Sequence, residues 1–196
     1  MIIDDITIIK PNGDPTFTGW MPIELFTGTI DGGHKTISNL YINHSFDNNT
    51  QGLFKLVLGA DIKNIHLEDV DITGGRTVGA LVGVAENSTI SNCFSSGTVQ
   101  GNRYVGGLVG YGWQITLEGS YSSASVTALE DTDNDTCAGG LVGGMDFSTI
   151  EDSYATGPVS GYHNLGGIVG YMGYDPFESS IVINLNVSSL LNSGIK

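Results

Sequence analysis

The sequence predicts an all-β fold, a right-handed parallel β-helix (solenoid) of about six coils with repeats of about 27 residues. Three observations predict it: a recurring glycine-rich phrase, an apolar residue at a constant distance after each copy, and a composition that favours strands. Glycine accounts for 29 of the 196 residues and proline for only 5. No segment has the apolar periodicity of an amphipathic helix, and short strands joined by turns therefore fit best.

The glycine-rich phrase is written VGALVG, VGGLVG, AGGLVG and LGGIVG in its four clear copies. Its central apolar residue, with an earlier weaker copy included, recurs at separations of 28, 27, 33 and 27 residues. These first anchors are Leu53, Leu81, Leu108, Leu141 and Ile168. A second apolar anchor follows each of them by nine residues, at Ile62, Ile90, Leu117, Ile150 and Phe177. Repeats of this length indicate an array of stacked units.

Each repeat contains three short strand signals, in the order glycine phrase, I-x-N-x-Y phrase and G-x-V-x-G phrase. If like strands of successive units pair in parallel, the anchors form continuous inner columns, and each coil rises by about 4.8 Å. Glycine suits the corners, where backbones come close together. The stacking also predicts outer columns, one of amide side chains at Asn39, Asn64 and Asn92 with Asp152, and one of rings at Tyr41, His66, Phe94, Tyr121 and Tyr154.

The chain is predicted to be a single β-helix domain over residues 1–196. Residues 1–25 would form an N-terminal cap or docking segment, 26–176 the repeat coils, and 177–196 a last coil, cap or assembly segment. Such segments are expected at the two ends of a solenoid, because an uncovered edge strand of a parallel sheet can pair with another chain.

The phrases VGGLVG, AGGLVG, ISNCFSSGTVQG and IEDSYATGPVSG resemble the GLUG repeat of bacterial surface and adhesin-like proteins and of IgA-specific metallopeptidases. The resemblance covers residues 52–170 and implies a β-helix. It implies little about activity, because function resides in sites added to a fold.

The charge balance restricts the partners. The chain has 21 acidic and 7 basic residues, for a net charge of -14, which disfavours nucleic acid and anionic membrane surfaces. Neutral glycans, cationic partners and calcium stay open. The start, MIIDDITIIK, lacks the basic and apolar regions of a signal peptide. The expected location is extracellular, on a cell surface or in a virus particle, and the chain is then a mature fragment, a protein that uses another export route, or a component of the virus particle. The two cysteines, Cys93 and Cys137, are expected to be buried free thiols, with a disulfide as the alternative.

The sequence offers little for catalysis, and we expect no catalytic residue and no cofactor other than possible calcium. A nucleotide site would need a helix after the glycine phrase, and another strand phrase follows instead. None of the four histidines can start the HExxH motif of a zinc peptidase. Two carboxylates, Glu118 and Glu151, share a register position and could serve a glycan hydrolase. Their column also contains Lys63 and Ser91, and a mixed solvated face is the simpler interpretation.

The 33-residue spacing places an insertion at LEDTDNDT, residues 129–136. Its alternating acids, Asp131, Asp133 and Asp135, resemble the opening of a calcium loop, although the glycine and the final acid of an EF-hand are absent. A weak calcium site and a solvated acidic loop are both open. A loop that interrupts a regular repeat is also a plausible place for specificity.

Two tyrosines, Tyr111 and Tyr171, occupy the same register position, with Trp113, Tyr162 and Tyr174 near them in sequence. Such aromatic residues could bind a neutral glycan, or they could be corner packing or a subunit contact. The sequence thus predicts a non-catalytic binding or structural module, adhesin-like or on a virion surface, that presents loops to a glycan or protein partner. A glycan-active β-helical enzyme and a purely structural assembly protein, including a homo-oligomer, are the alternatives.

Overall fold

The computed structural model describes residues 5–7, 17–44, 50–129, 135–173 and 182–184. In these residues the chain forms strands only, and no helix there could cross a membrane. The strands are β1 (Ile6–Thr7), β2 (Ile23–Phe26), β3 (Thr29–Ser38), β4 (Tyr41–Asn43), β5 (Thr50–Gln51), β6 (Phe54–Leu58), β7 (Asp61–Thr73), β8 (Thr77–Gly79), β9 (Val82–Glu86), β10 (Thr89–Ser91), β11 (Phe94–Gly101), β12 (Tyr104–Gly106), β13 (Val109–Trp113), β14 (Thr116–Glu118), β15 (Tyr121–Ser122), β16 (Ser125–Ala128), β17 (Cys137–Gly139), β18 (Val142–Asp146), β19 (Thr149–Glu151), β20 (Tyr154–Ala155), β21 (Val159–Ser160), β22 (Leu165–Gly166), β23 (Val169–Met172) and β24 (Val182–Asn184).

The strands form three parallel sheets stacked as a β-solenoid of about five turns, close to the six coils predicted. Sheet 1 has the order β5-β8-β12-β17-β22, and sheet 2 has the order β2-β6-β9-β13-β18-β23. Sheet 3 contains the other 13 strands. Each coil passes through the three sheets in turn, and the next coil pairs with it strand by strand. The right-handed sense of the coil and the division into cap, coils and assembly segment stay predictions.

The pairing register confirms the predicted repeat. Val82 pairs with Val109, Val109 with Val142, and Val142 with Val169, which reproduces the spacings of 27, 33 and 27 residues. The anchors lie inside the stack, where Leu81, Leu108 and Leu141 are fully buried. The long spacing arises between β16 and β17, the interval that contains residues 129–136, and the strands on either side of this interval remain in register with the preceding coil.

The register differs from the prediction in the first coil. Ile30 of β3 pairs with Ile62, and Thr36 pairs with His66. The predicted alignment of Asn39 with Asn64 and of Tyr41 with His66 is therefore wrong. The physical reason is that similar phrases occupy different corners of the coil. Ile37 pairs with Leu67, and Asn39 shares its left-handed φ angle with Asp69, five residues after Asn64. The two extra residues of β3 between Asp31 and Lys35 shift the first part of the strand by two further positions.

The last second anchor also differs. Ile150 pairs with Ile183 in β24, so Phe177 is not the equivalent residue. Phe177 itself lies outside the described residues. The interval from Ile150 to Ile183 is again 33 residues, which a search for a fixed offset of nine residues could not find.

The glycine phrase forms the corner between sheets 1 and 2. At its second position a Cβ atom would lie only about 2 Å from the carbonyl oxygen of the residue three positions later. The distances are 2.3 Å at Gly79, 1.9 Å at Gly106, 2.0 Å at Gly139 and 1.8 Å at Gly166. Real Cβ contacts are never this short, so each coil needs glycine at this position to turn. The phrase is thus a corner repeated once per coil.

The column of Asn64, Asn92, Gly119 and Asp152 shares a backbone conformation. Their φ angles are 56°, 51°, 56° and 45°, in the left-handed region that asparagine, aspartate and glycine enter at least cost. Asn64 also donates its side-chain amide to Asp31 of the preceding coil, at 2.9 Å. The backbone turn is what this position requires in every coil, whichever of the three residue types stands there.

Buried serines connect neighbouring coils at two corners other than that of the glycine phrase. Each hydroxyl accepts a backbone N–H from the preceding coil at 3.0 to 3.1 Å and donates to the carbonyl two residues earlier in its own chain. The donated bonds measure 2.6 to 2.9 Å. These serines are Ser88, Ser120, Ser148 and Ser153. They satisfy backbone groups that a corner removes from the sheets, at sites closed to water.

Candidate functional site

One column of apolar side chains follows the outer face of sheet 2 from the first described coil to the last. Its members pair in register on successive strands and are Leu25, Leu56, Val84, Tyr111, Gly144 and Tyr171. Neighbouring residues in these strands, such as Ala85 and Met145, are buried in the core, so strand alternation turns this column outward. Leu25 is 53% exposed and Tyr171 is 38% exposed. We call this column the apolar file.

Gly144 makes room in the apolar file for a ring from another sheet. A Cβ atom at Gly144 would lie 2.7 Å from Cδ1 of Tyr104 and 3.2 Å from Cδ2 of Tyr111. Tyr104 is the first residue of β12 in sheet 1, and its ring crosses the corner to lie over Gly144. Its centroid is 5.1 Å from that of Tyr111 and 6.2 Å from that of Tyr171. We call these three residues the tyrosine cluster.

The tyrosine cluster carries hydrogen-bonding groups as well as rings. The Tyr111 hydroxyl donates to the Asp146 carboxylate. Burial raises the pKa of Tyr111, and the bond to Asp146 raises it further. Burial is also the main cause that raises the pKa of Tyr104. Both phenols therefore stay protonated and can donate over the whole physiological pH range.

Arg103 links the tyrosine cluster to the insertion. Its guanidinium lies 5.0 Å from the centroid of the Tyr104 ring, within the range of a cation–π contact. The same group forms an ion pair with Asp135, at the base of the 129–136 insertion. One residue further on, the Thr136 hydroxyl accepts the backbone N–H of His163 in the next coil, at 3.1 Å. The described end of the insertion is thus held against the cluster.

Trp113 lies beside the apolar file, in the next outward position of β13. It is 37% exposed, and the edge of the Phe147 ring contacts it at a centroid distance of 6.4 Å. The predicted common register of Tyr111 and Tyr171 is confirmed, since both pair with Gly144. Tyr162 is exposed, and Tyr174 lies outside the described residues. Tyr104 was not among the predicted aromatic residues, because sequence spacing places it in a different strand from Tyr111.

A second set of rings lies on sheet 3. From His66 onward it follows the predicted column, and at its start His34 takes the place of the predicted Tyr41. Successive centroids are separated by 5.5, 6.3, 4.4 and 5.0 Å, along His34, His66, Phe94, Tyr121 and Tyr154. The rings contact one another along the stack, so this column stabilises neighbouring coils.

The pair proposed for glycan hydrolysis lies in register, Glu118 opposite Glu151 on adjacent strands. The same column continues through Ser91 to Lys63, as predicted. Lys63 in turn lies 4.0 Å from Asp31. Glu118 is exposed and Glu151 is half-buried, on a column that also carries a serine and a lysine, so the surroundings are those of a mixed solvated face.

The calcium prediction at Asp131, Asp133 and Asp135 stays a prediction. Asp131 and Asp133 lie outside the described residues, and Asp135 is paired with Arg103, which would compete with a cation. Within the described ranges no three His, Cys, Asp or Glu side chains come together as a metal-binding group. Melting with calcium and with a chelator tests the site, because a bound cation raises the melting temperature.

Both cysteines are buried free thiols, as expected. Burial raises the pKa of Cys93 to about 11, and burial is also the main cause that raises the pKa of Cys137. Thiols of this kind are poor nucleophiles at neutral pH.

Three segments of the chain, residues 74–100, 101–127 and 134–160, match the family model of the GLUG motif. A stretch of 77 residues, 39% of the chain, is 42% identical to halomucin of Haloquadratum walsbyi and spans 1% of that protein.

Two solved structures share the fold. One is a candidate immunoglobulin A1 protease from Bacteroides ovatus, with a TM-score of 0.65, 20% identity, and coverage of 93% of this chain and 56% of that one. The other is an IgA1 protease, with a TM-score of 0.53, 21% identity, and coverage of 93% and 17%. The chain thus corresponds to only part of each of these proteins. At these sequence identities the similarity shows a shared fold alone.

Proposed function

We propose that this chain of GLUG motifs is a non-catalytic binding module of a surface protein, adhesin-like or on a virus particle, that presents one outer face of its solenoid to a glycan or protein partner. The observation that carries the proposal is the apolar file with its tyrosine cluster. Apolar and aromatic side chains that recur outward along the strands of one sheet are characteristic of a surface that another molecule covers.

The construction of the coil supports a presenting role. The core, the corner glycines and the buried serines fix each coil against its neighbours, so outward side chains keep a set spacing. A surface that is ordered before binding loses little conformational entropy when a partner binds. The similarity to a stretch of halomucin and the fold shared with parts of two longer chains support a module within a larger protein.

The enzyme alternative has weaker support. A glycan hydrolase needs one carboxyl group of raised pKa beside one that stays ionised. Glu118 and Glu151 lie on a face that also carries Ser91 and Lys63. The general acid of such an enzyme needs apolar surroundings, whereas Glu118 is exposed and Glu151 is only half-buried.

The test is binding without turnover. The full chain is applied to an array of neutral and acidic glycans, and each glycan that binds is incubated with the protein overnight and analysed by mass spectrometry. We expect at least one glycan to bind and every bound glycan to keep its length. Shortened or unsaturated products that disappear in the double variant Glu118→Gln, Glu151→Gln would establish the enzyme instead.

A further inference from the structure

We infer that the tyrosine cluster, together with Trp113, is the binding site of a neutral glycan chain that lies along the axis of the coil. The inference rests on the proposed binding function and narrows it to one face, one set of residues and one class of ligand.

The first argument is the spacing and fixation of the rings. Tyr111 and Tyr171 stand in one file, two coils and about 10 Å apart, with Tyr104 between them. An extended pyranose chain advances by about one coil rise per sugar, so consecutive sugars can meet consecutive rings. The C–H faces of a sugar pack on aromatic faces, and two of these rings are held on strands whose backbones are paired on both sides.

The second argument is the polar rim. The Tyr111 phenol and the Asp146 carboxylate are already hydrogen-bonded to each other, and on the other side of the cluster the Arg103 guanidinium is paired with Asp135. Carboxylates with remaining acceptor sites and a guanidinium with five donors suit the hydroxyls of a sugar, which both donate and accept. A purely apolar partner would leave these groups unsolvated at a cost.

The third argument is charge, and it selects a neutral chain. Asp135 compensates the charge of Arg103, so this guanidinium attracts no further anion. Asp146 lies in the cluster, and Glu86 pairs in register with Trp113. With a net charge of -14 on the chain, a uronic acid or sulfated polymer would be repelled.

The probes are four neutral hexasaccharides, cellohexaose, laminarihexaose, mannohexaose and chitohexaose, with hyaluronan and polygalacturonate oligomers as acidic counterparts. The protein is the full chain with Trp20→Phe, which leaves Trp113 as its only tryptophan. Titrations are followed by calorimetry and by Trp113 fluorescence. We expect at least one neutral hexasaccharide to bind and to change the Trp113 emission, and the acidic oligomers to bind at least about tenfold more weakly.

Variants then locate the site. Tyr171→Ala removes an exposed ring and should weaken the binding of the neutral hexasaccharide about tenfold or more. Tyr111→Phe keeps the ring, removes the bond to Asp146, and should produce a smaller loss. Tyr154→Ala, in the ring column of sheet 3, is the matched control and should leave the affinity unchanged. Circular dichroism verifies that each variant is folded.

The possible failures are distinct. If a neutral hexasaccharide binds and Tyr171→Ala leaves its affinity unchanged, the site is wrong and the binding module stands. If only acidic oligomers or a protein bind, the ligand class is wrong and the module stands. If the hexasaccharide is cleaved, the non-catalytic function itself is wrong.

Discussion

At Gly106 the chain turns from sheet 1 into sheet 2 with no space for a side chain. A Cβ atom there would lie 1.9 Å from the Val109 carbonyl oxygen and 2.7 Å from the Gly143 nitrogen, both of them backbone atoms that cannot move alone. We therefore expect Gly106→Ala to lower the free energy of unfolding by about 3 kcal/mol or more, because a corner and the adjacent coil must both shift. Urea unfolding followed by circular dichroism measures the change.

Gly167→Ala is the control for this substitution. Gly167 belongs to the last copy of the same phrase, and a Cβ atom at this position would meet no atom of the protein within 4 Å. Its effect should stay within about 0.5 kcal/mol. Equal losses at the two glycines would contradict the steric explanation and indicate a general cost of losing glycine.

Cys93 predicts a specific loss of stability at alkaline pH. Burial raises the pKa of this thiol from 9.0 to about 11 in the folded protein. The folded state therefore keeps the proton that the unfolded state loses, so the contribution of Cys93 to stability is constant below about pH 9 and falls as the pH rises from 9 to 11. The loss from this group is on the order of 3 kcal/mol at pH 11.

The measurement is the slope of the free energy of unfolding against pH, in wild type and in Cys93→Ala. The substitution removes a buried sulfur and lowers stability at every pH, so only the slope between pH 9 and 11 is informative. The variant should lose stability less steeply over this interval. Equal slopes in the wild type and the variant would mean that the Cys93 thiol loses its proton at the same pH in the folded and the unfolded state, which would contradict the prediction.

At the scale of one element, we expect the loss of stability on removing a serine hydroxyl to depend on whether water can reach the hydrogen bond that it makes. Ser120 accepts the backbone N–H of Cys93 at 3.1 Å and is fully buried, so Ser120→Ala leaves a buried donor unpaired. We expect a loss of about 1 to 3 kcal/mol. Ser96→Ala is the control, because Ser96 accepts the Asp69 N–H at 3.0 Å in an exposed position where water can replace it. Losses of the same size would refute the burial argument.

The strands around the glycine phrase could be predicted because one constraint acts in every coil. The separations of Leu53, Leu81 and Leu108 give the register directly, and the corner glycines repeat with them. β3 could not be aligned in this way. Its phrase ISNLYIN has the same form as the phrase that begins at Ile62, but Ile37 pairs with Leu67. Similarity of phrases does not show which corner of the coil a phrase occupies.

The candidate site could be predicted only in part, for a related reason. Tyr111 and Tyr171 share a register position and were found by counting. Tyr104 reaches them across a corner, which no count along one strand can show. The available signal was Gly144, a glycine between two tyrosines of one outward file, because an empty position leaves room for a ring from elsewhere.

Among the described residues, the strands of each coil pair only with strands of the coils before and after it. Stability should then be the sum of coil terms and of the interfaces between adjacent coils. Removing one complete coil in register ought to leave a shorter and weaker solenoid. Removing nearly the same length out of register ought to disrupt it.

A deletion of residues 71–97 tests this property. Thr98 pairs with Asp71 in the intact protein, so joining Val70 to Thr98 keeps every later residue on its own face. We expect cooperative unfolding with the same strand signal, a lower free energy, and a denaturant m-value reduced by about a seventh, in proportion to the surface removed. Binding of the neutral hexasaccharide should persist, because the tyrosine cluster lies in the retained coils.

The control deletes residues 71–98, one residue more, and joins Val70 to Val99. The slip turns Val99 outward and Gln100 into the core, because successive residues of a strand face opposite sides. The longer deletion should lose most of the cooperative transition that the shorter one keeps. Equal free energies of unfolding for the two deletion variants would show that the coils tolerate a register shift of one residue. The stacking of the coils would then not determine which residues face outward, including those of the tyrosine cluster.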